Sequence, residues 1–142
     1  MNKVLARMII GLLGILSVQI SMAQPSARSK PTVLHFELAG KDQTFFRFEE
    51  ERLMISQQCG SDIAKMTCDA WKNVKIAATS KRRTTENKDV NPGAALCEDV
   101  LKFKTELGTD SNGNETTFCI FKDGSMIENG SLYYHAMTEG KK

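Results

Sequence analysis

After residue 23 the chain has no apolar run long enough to cross a bilayer; a spanning helix needs about 20 predominantly apolar residues. Histidine is scarce, with two in 142 residues, and the four cysteines are separated by 8, 28 and 21 residues. Structural zinc sites place paired ligands only a few residues apart, so this spacing argues against a metal centre. His35 and His135 complete no ligand pattern and read as ordinary strand histidines. Also missing are a phosphate-binding glycine loop, a nucleophile elbow and a metal-binding helix motif. No cofactor, metal or catalytic residue is expected. Charge of one sign is lacking too: 19 basic groups face 17 acidic ones. Two of the basic groups, Lys3 and Arg7, lie in the first 23 residues, which hold no acid, so 17 remain against 17. That balance removes the global electrostatic case for nucleic acid or an anionic membrane surface.

What is present begins with an export signal. Lys3 and Arg7 precede the apolar run Met8–Leu16, which breaks at Ser17 and Gln19 before Ser21-Met22-Ala23. A basic end, a short apolar core and small residues at −3 and −1 predict cleavage between Ala23 and Gln24. No cysteine follows that bond, so an acylated lipoprotein start is missing. The expected product has 119 residues, enough for one domain or two small units sharing a core. Its expected location is periplasmic or secreted.

Residues 24–31, with two prolines, read as a flexible leader. Thr32 to Leu38 and Thr44 to Glu49 alternate around Ala39-Gly40-Lys41-Asp42, a β-hairpin pattern. Leu34, Phe36 and Leu38 share one face of the first strand; Phe46 and Phe48 oppose Phe45, Arg47 and Glu49 in the second. Leu53 to Ser56 reads as a third strand. Ala70, Trp71, Val74 and Ala77-Ala78 recur at helical spacing, and Ser61 or Thr67 could cap that helix. Residues 79–90 are polar without an apolar period and read as a linker, their Lys81-Arg82-Arg83 run as solvated charge. The N-terminal half is therefore 32–78. Asn91-Pro92 opens a second helix, with Leu96, Cys97, Val100 and Leu101 on one side. Phe103 to Leu107 and Glu115 to Phe121 read as strands around the Asn112-Gly113 turn. Ser125 to Ile127 is short and extended, Asn129-Gly130 a turn, and Leu132-Tyr133-Tyr134 a closing strand. The second half spans 91–136, with 137–142 a tail.

An even cysteine count in a small exported chain favours disulfides. Four cysteines allow three connectivities, and keeping each bridge within one half favours Cys59–Cys68 with Cys97–Cys119. A helix starting at Ser61 would carry Cys68 about 10 Å along its axis, beyond the roughly 7 Å that a bridge tolerates. The first helix is therefore expected to start near Thr67, with residues 60–66 a closed loop.

Asn91-Pro92, Cys97, Gly113, Cys119-Ile120-Phe121, Asp123-Gly124-Ser125 and Leu132-Tyr133-Tyr134 together resemble a small bacterial family of exported domains of unknown function, often labelled haemolysin-like. The likeness covers residues 91–135. It lacks the Gly-Gly that often follows the first cysteine, the final-strand tryptophan and the extra C-terminal cysteines. The resemblance implies an exported protein with a Cys97–Cys119 bridge and no established activity. No membrane-inserting amphipathic run accompanies it.

Other tempting sites read as structure. Asp110-Ser111-Asn112-Gly113-Asn114 starts like a calcium loop but puts Glu115 and Phe121 where an EF-hand needs glycine and glutamate. Asn114-Glu115-Thr116 and Asn129-Gly130-Ser131 fit the glycosylation pattern and equally fit turns. Glu49-Glu50-Glu51 reads as a solvated turn. Tyr133 and Tyr134 are the candidate partner-binding pair, because neighbours in a strand face opposite ways and one ring would be exposed. The expected fold is α+β, a small antiparallel sheet with two short helices stapled by disulfides. Because Phe118 and Ile120 oppose Cys119 and Phe121, that strand is expected to be covered on both faces. The expected function is non-enzymatic binding of another envelope or extracellular macromolecule. A small secreted peptidase inhibitor is the alternative.

Overall fold

The computed structural model describes residues 29–80 and 91–139. The signal segment, most of the leader, residues 81–90 of the linker and the last three residues lie outside the described residues.

Strand β1 (Thr32–Leu38) pairs with β2 (Lys41–Phe48) from Thr32↔Arg47 to Leu38↔Lys41. The two-residue turn between them holds Ala39 and Gly40 at φ 49° and 73°. Positive φ at both positions gives a turn whose twist matches the strands. β3 (Leu53–Ser56) adds to the other side of β2. Two 3-10 turns, Gln57–Cys59 and Ile63–Lys65, then lead into α1 (Asp69–Thr79). The second half opens with α2 (Pro92–Ala95), where the Asn91 side chain accepts from the N–H groups of Gly93 and Ala94. A π-helical turn, Leu96–Val100, continues it. β4 (Lys104–Asp110), β5 (Glu115–Ile120), β6 (Met126–Glu128) and α3 (Asn129–Glu139) follow.

The sheet does not stay open. Its order is β1-β2-β3-β6-β5-β4 with β4 returning to β1, a closed antiparallel barrel of six strands carrying three short helices. The expected α+β fold, a small antiparallel sheet with two short helices, is thereby corrected. Strands β1 to β3 run consecutively and β4 lies beside β1, a Greek-key connection. Alternation reports faces, whereas closure depends on which distant strands meet. The meeting of β1 and β4 turns on Gly108, the register partner of Leu38. A Cβ there would stand 2.7 Å from Leu38 Cδ1 and 2.8 Å from Phe118 Cε2. A side chain there would have to displace Leu38 or the Phe118 ring inside the barrel.

Two apolar clusters divide the sheet's faces. Phe36, Leu38, Phe45, Phe118 and Met126 fill the barrel interior. Phe45 and Phe118 stack with centroids 4.3 Å apart, and Phe36 meets both edgewise at 5.6 and 5.1 Å. Outside, Phe48, Leu53, Ile55, Ile127 and Phe121 pack beneath Val74 of α1, Leu96, and Leu132 and Ala136 of α3. β5 serves both clusters, with Phe118 inside and Cys119 outside, so both its faces are covered as its sequence indicates. The outer cluster joins residues from both halves into one core.

Cys59 is bonded to Cys68 and Cys97 to Cys119, the favoured connectivity, with Cα separations of 5.1 and 5.7 Å. The first helix begins two residues later than expected, with Cys68 itself as N-cap. Tied into its bridge, Cys68 offers no side-chain cap, and the cap comes from the far half of the chain. Asp123 Oδ2 accepts from the Asp69 N–H at 2.8 Å, and Ser125 Oγ accepts from the Ala70 N–H at 2.8 Å.

The last element departs most from expectation. Leu132-Tyr133-Tyr134 lies within α3, not in a strand, and the helix continues through the expected tail to Glu139. His135 is accordingly a helical residue. Glu128 accepts hydrogen bonds from the N–H groups of Gly130 and Ser131 and from the Ser131 hydroxyl, at 2.6, 2.7 and 2.8 Å. This carboxylate turns Asn129-Gly130 into a helix start, overriding the β preference of adjacent tyrosines. Among the described residues, no helix is long and apolar enough to cross a membrane.

Candidate functional site: the open mouth of the barrel

Register decides which side chains reach the barrel's mouth. Arg47 pairs with Met54 across β2 and β3, and both lie on the inward face continued by Thr116 and Glu128. The alternation of β2 already placed Arg47 on the face of Phe45, and a cation on a core-facing row was the one sequence signal of an opening. Two grooves, of about 460 and 420 Å³, share Arg47, Met54 and Thr116 as a common wall.

The larger groove runs from Glu49 and Arg52 to Ser131 and Tyr134. Its charged groups are already engaged. Arg47 Nε sits 2.8 Å from Glu49 Oε1, and the Arg52 guanidinium lies 5.1 Å from the Tyr134 ring centre. That separation is within cation–π range. Glu128 is held by the helix N–H groups described above. Ser131 Oγ also accepts the Met54 N–H at 2.9 Å. Of the two candidate tyrosines, Tyr134 thus lines the mouth, while Tyr133 packs against the outer core. Both are half-buried. The structure separates them by helix rotation, where the sequence reading separated them by strand faces.

The smaller groove lies between β1 and the β4–β5 hairpin, over Leu34, Phe36 and Met54. Asp110 forms its rim, accepting from the Asn112 N–H at 2.8 Å and from the Asn114 N–H and side-chain amide at 2.9 Å each. Led by the Asn114 side-chain bond, these contacts hold the Asp110 carboxyl below the usual carboxylate range. Its oxygens therefore serve the turn. Among the described residues, no cluster of three His, Cys, Asp or Glu side chains could hold a metal.

Remaining sequence candidates fall elsewhere. His35 is exposed on the outer face of β1, its Nδ1 3.3 Å from Thr44 Oγ1. His135 packs near Trp71 and Tyr134, with ring centres 5.7 and 5.3 Å away. Asn129 is fully buried, which closes the second glycosylation pattern to modification in the folded protein. The basic run 81–83 lies outside the described residues. Arg52, Met54, Thr116, Glu128 and Ser131 were not legible as a group, because three stretches of chain far apart in sequence bring them together. The chain matches no protein-family profile, no curated protein and no solved structure.

Proposed function

We propose that this is an exported, disulfide-bonded, non-enzymatic protein that binds another envelope or extracellular macromolecule through the mouth of its barrel. The observation that carries the reading is the Arg52–Tyr134 pair along a groove of about 460 Å³. A half-buried tyrosine backed by an arginine is the side-chain pair that binding surfaces concentrate. Both disulfides fit a compartment outside the reducing cytoplasm. The acids at the mouth, Glu49, Glu128 and Asp110, are each taken up by structural partners, which favours binding over acid–base chemistry. Export and kinship with the exported family resembled by residues 91–135 belong to this proposal. The inhibitor reading has less support, since the loop closed by Cys59–Cys68 winds into a 3-10 turn at Ile63–Lys65 where a substrate-like segment would be extended.

The test is capture of partners from envelope extract by the oxidised mature protein and by its Tyr134→Ala and Arg52→Ala variants. Binding that both substitutions weaken supports the mouth as the surface. Capture unaffected by either would sink it.

A further inference from the structure

The barrel closes unevenly, and the gap has a definite chemistry. β1 pairs with β2 along all seven of its residues, whereas β4 meets it only at Phe36, Glu37 and Leu38. Thr32 to His35 therefore form a sheet edge with no described strand beyond it. Hydrogen-bond parity says which residues face outward. Asp110 directs its N–H and C=O away from β1, to Asn114 and Gly113 at 3.0 Å each. Its partner Phe36 is thus in a non-hydrogen-bonded pair with β4, and Glu37↔Thr109 is the bonded one. Along β1, Val33 and His35 share the parity of Glu37, so their N–H and C=O groups point to the open side. Thr32 and Leu34 point theirs to β2. Both Val33 and His35 are exposed, Val33 at 50%. Beside this edge lies the groove of about 420 Å³ floored by Leu34, Phe36 and Met54.

We infer that an extended peptide segment of a partner protein adds to this edge, antiparallel to β1, in the line that β4 leaves at Asp110. The occupant follows from what the described strands leave open: two N–H and two C=O groups spaced two residues apart, the pattern that the main chain of an extended strand matches. The peptide residues opposite His35 and Val33 make four main-chain hydrogen bonds. The residue between them points inward, as Leu34 does, and an apolar side chain there fills the groove. The inference rests on the mouth being a binding surface and specifies its partner.

A random decapeptide library displayed on phage, panned against the oxidised mature protein, provides the probe. Enriched peptides should carry an apolar residue at the inward position. Methylating a backbone nitrogen opposite Val33 or His35 should weaken binding at least tenfold, while methylating the inward residue's nitrogen should not. Bound peptide should slow amide exchange at Val33 and His35. On the protein side, Val33→Pro removes one outward N–H without touching the β2 ladder, and proline is tolerated on such edges. It should abolish peptide binding while leaving the near-UV spectrum unchanged. If that variant misfolds, the methylated peptides decide alone. Strand addition is overturned if no peptide enriches, if methylation at every position is equivalent, or if the free protein dimerises through paired β1 edges. A peptide footprint centred on Tyr134 overturns it too, while leaving the broader binding proposal standing.

Discussion

Asp123 shows how one side chain can serve both halves of the chain. Burial pushes its carboxyl up, but hydrogen bonds from the Asp69 N–H and from Ser125 outweigh that and leave it lowered. A depressed acid adds stability that is present above its unfolded pKa, about 3.9, and is lost as pH falls through the folded value. Asp110 titrates in the same window, so the difference between the wild type and Asp123→Asn isolates Asp123. We expect Asp123→Asn to cost about 1 kcal/mol at neutral pH, as lost helix caps do. The cost should shrink below about pH 3.9, as urea titrations across pH would show; a cost independent of pH would refute the capping role. Ser131 makes a comparable link, supplying the acceptor for the Met54 N–H where β3 and β6 pair only at Ile55↔Ile127. Ser56 Oγ accepts the Met126 N–H on the other side of that pair. Ser56→Ala leaves a buried donor without its partner and should cost about 1–3 kcal/mol by urea unfolding.

Element contacts set the next scale. Gly93 of α2 lies so close to α3 that a Cβ would stand 1.9 Å from the Asn129 carbonyl oxygen. That obstacle is backbone, not a movable side-chain tip, so Gly93→Ala must shift one helix. The expected cost is about 3 kcal/mol, the upper part of the overpacking range, and unchanged thermal stability would contradict the close approach. The bridges should rank differently. Cys97 and Cys119 are fully buried and span 22 residues, against nine for Cys59–Cys68, of which Cys68 is only half-buried. In loop-entropy terms they restrict the unfolded chain by roughly 3.4 and 2.6 kcal/mol. Cys97→Ser also leaves polar atoms in the core, so it should destabilise more than Cys68→Ser. Mild reductant followed by alkylation and peptide mapping should label Cys59 and Cys68 first. Most elements were legible at this scale: the β1–β2 hairpin from Phe36, Phe45 and their alternation, and the α2 start from Asn91-Pro92. α3 was not. Its spacing of Leu132 with Ala136 and Tyr133 with Met137 is helical, but the deciding contact is the Glu128 carboxylate folded over two N–H groups.

For the whole molecule, the two halves form one structure twice over. β1 pairs with β4 and β3 with β6, and the outer core draws on α1, the π-helical turn Leu96–Val100 and α3 together. Unfolding in urea should therefore be a single transition, with near-UV and far-UV signals coinciding. Two separated transitions would show that the halves are independent. The sequence by itself determined that the cysteines pair, the faces of the hairpin strands and the helix at Asn91, because turn residues, period-two alternation and cysteine parity need no knowledge of distant contacts. Only tertiary structure decided that the sheet closes and that Tyr134 sits on a helix beside Arg52. It also decided that Arg47, Thr116 and Glu128 share one opening. Closure requires β4 to find β1 across the intervening chain, with Gly108 thin enough to admit Leu38. Such a choice is made by packing between distant segments, which no local pattern encodes.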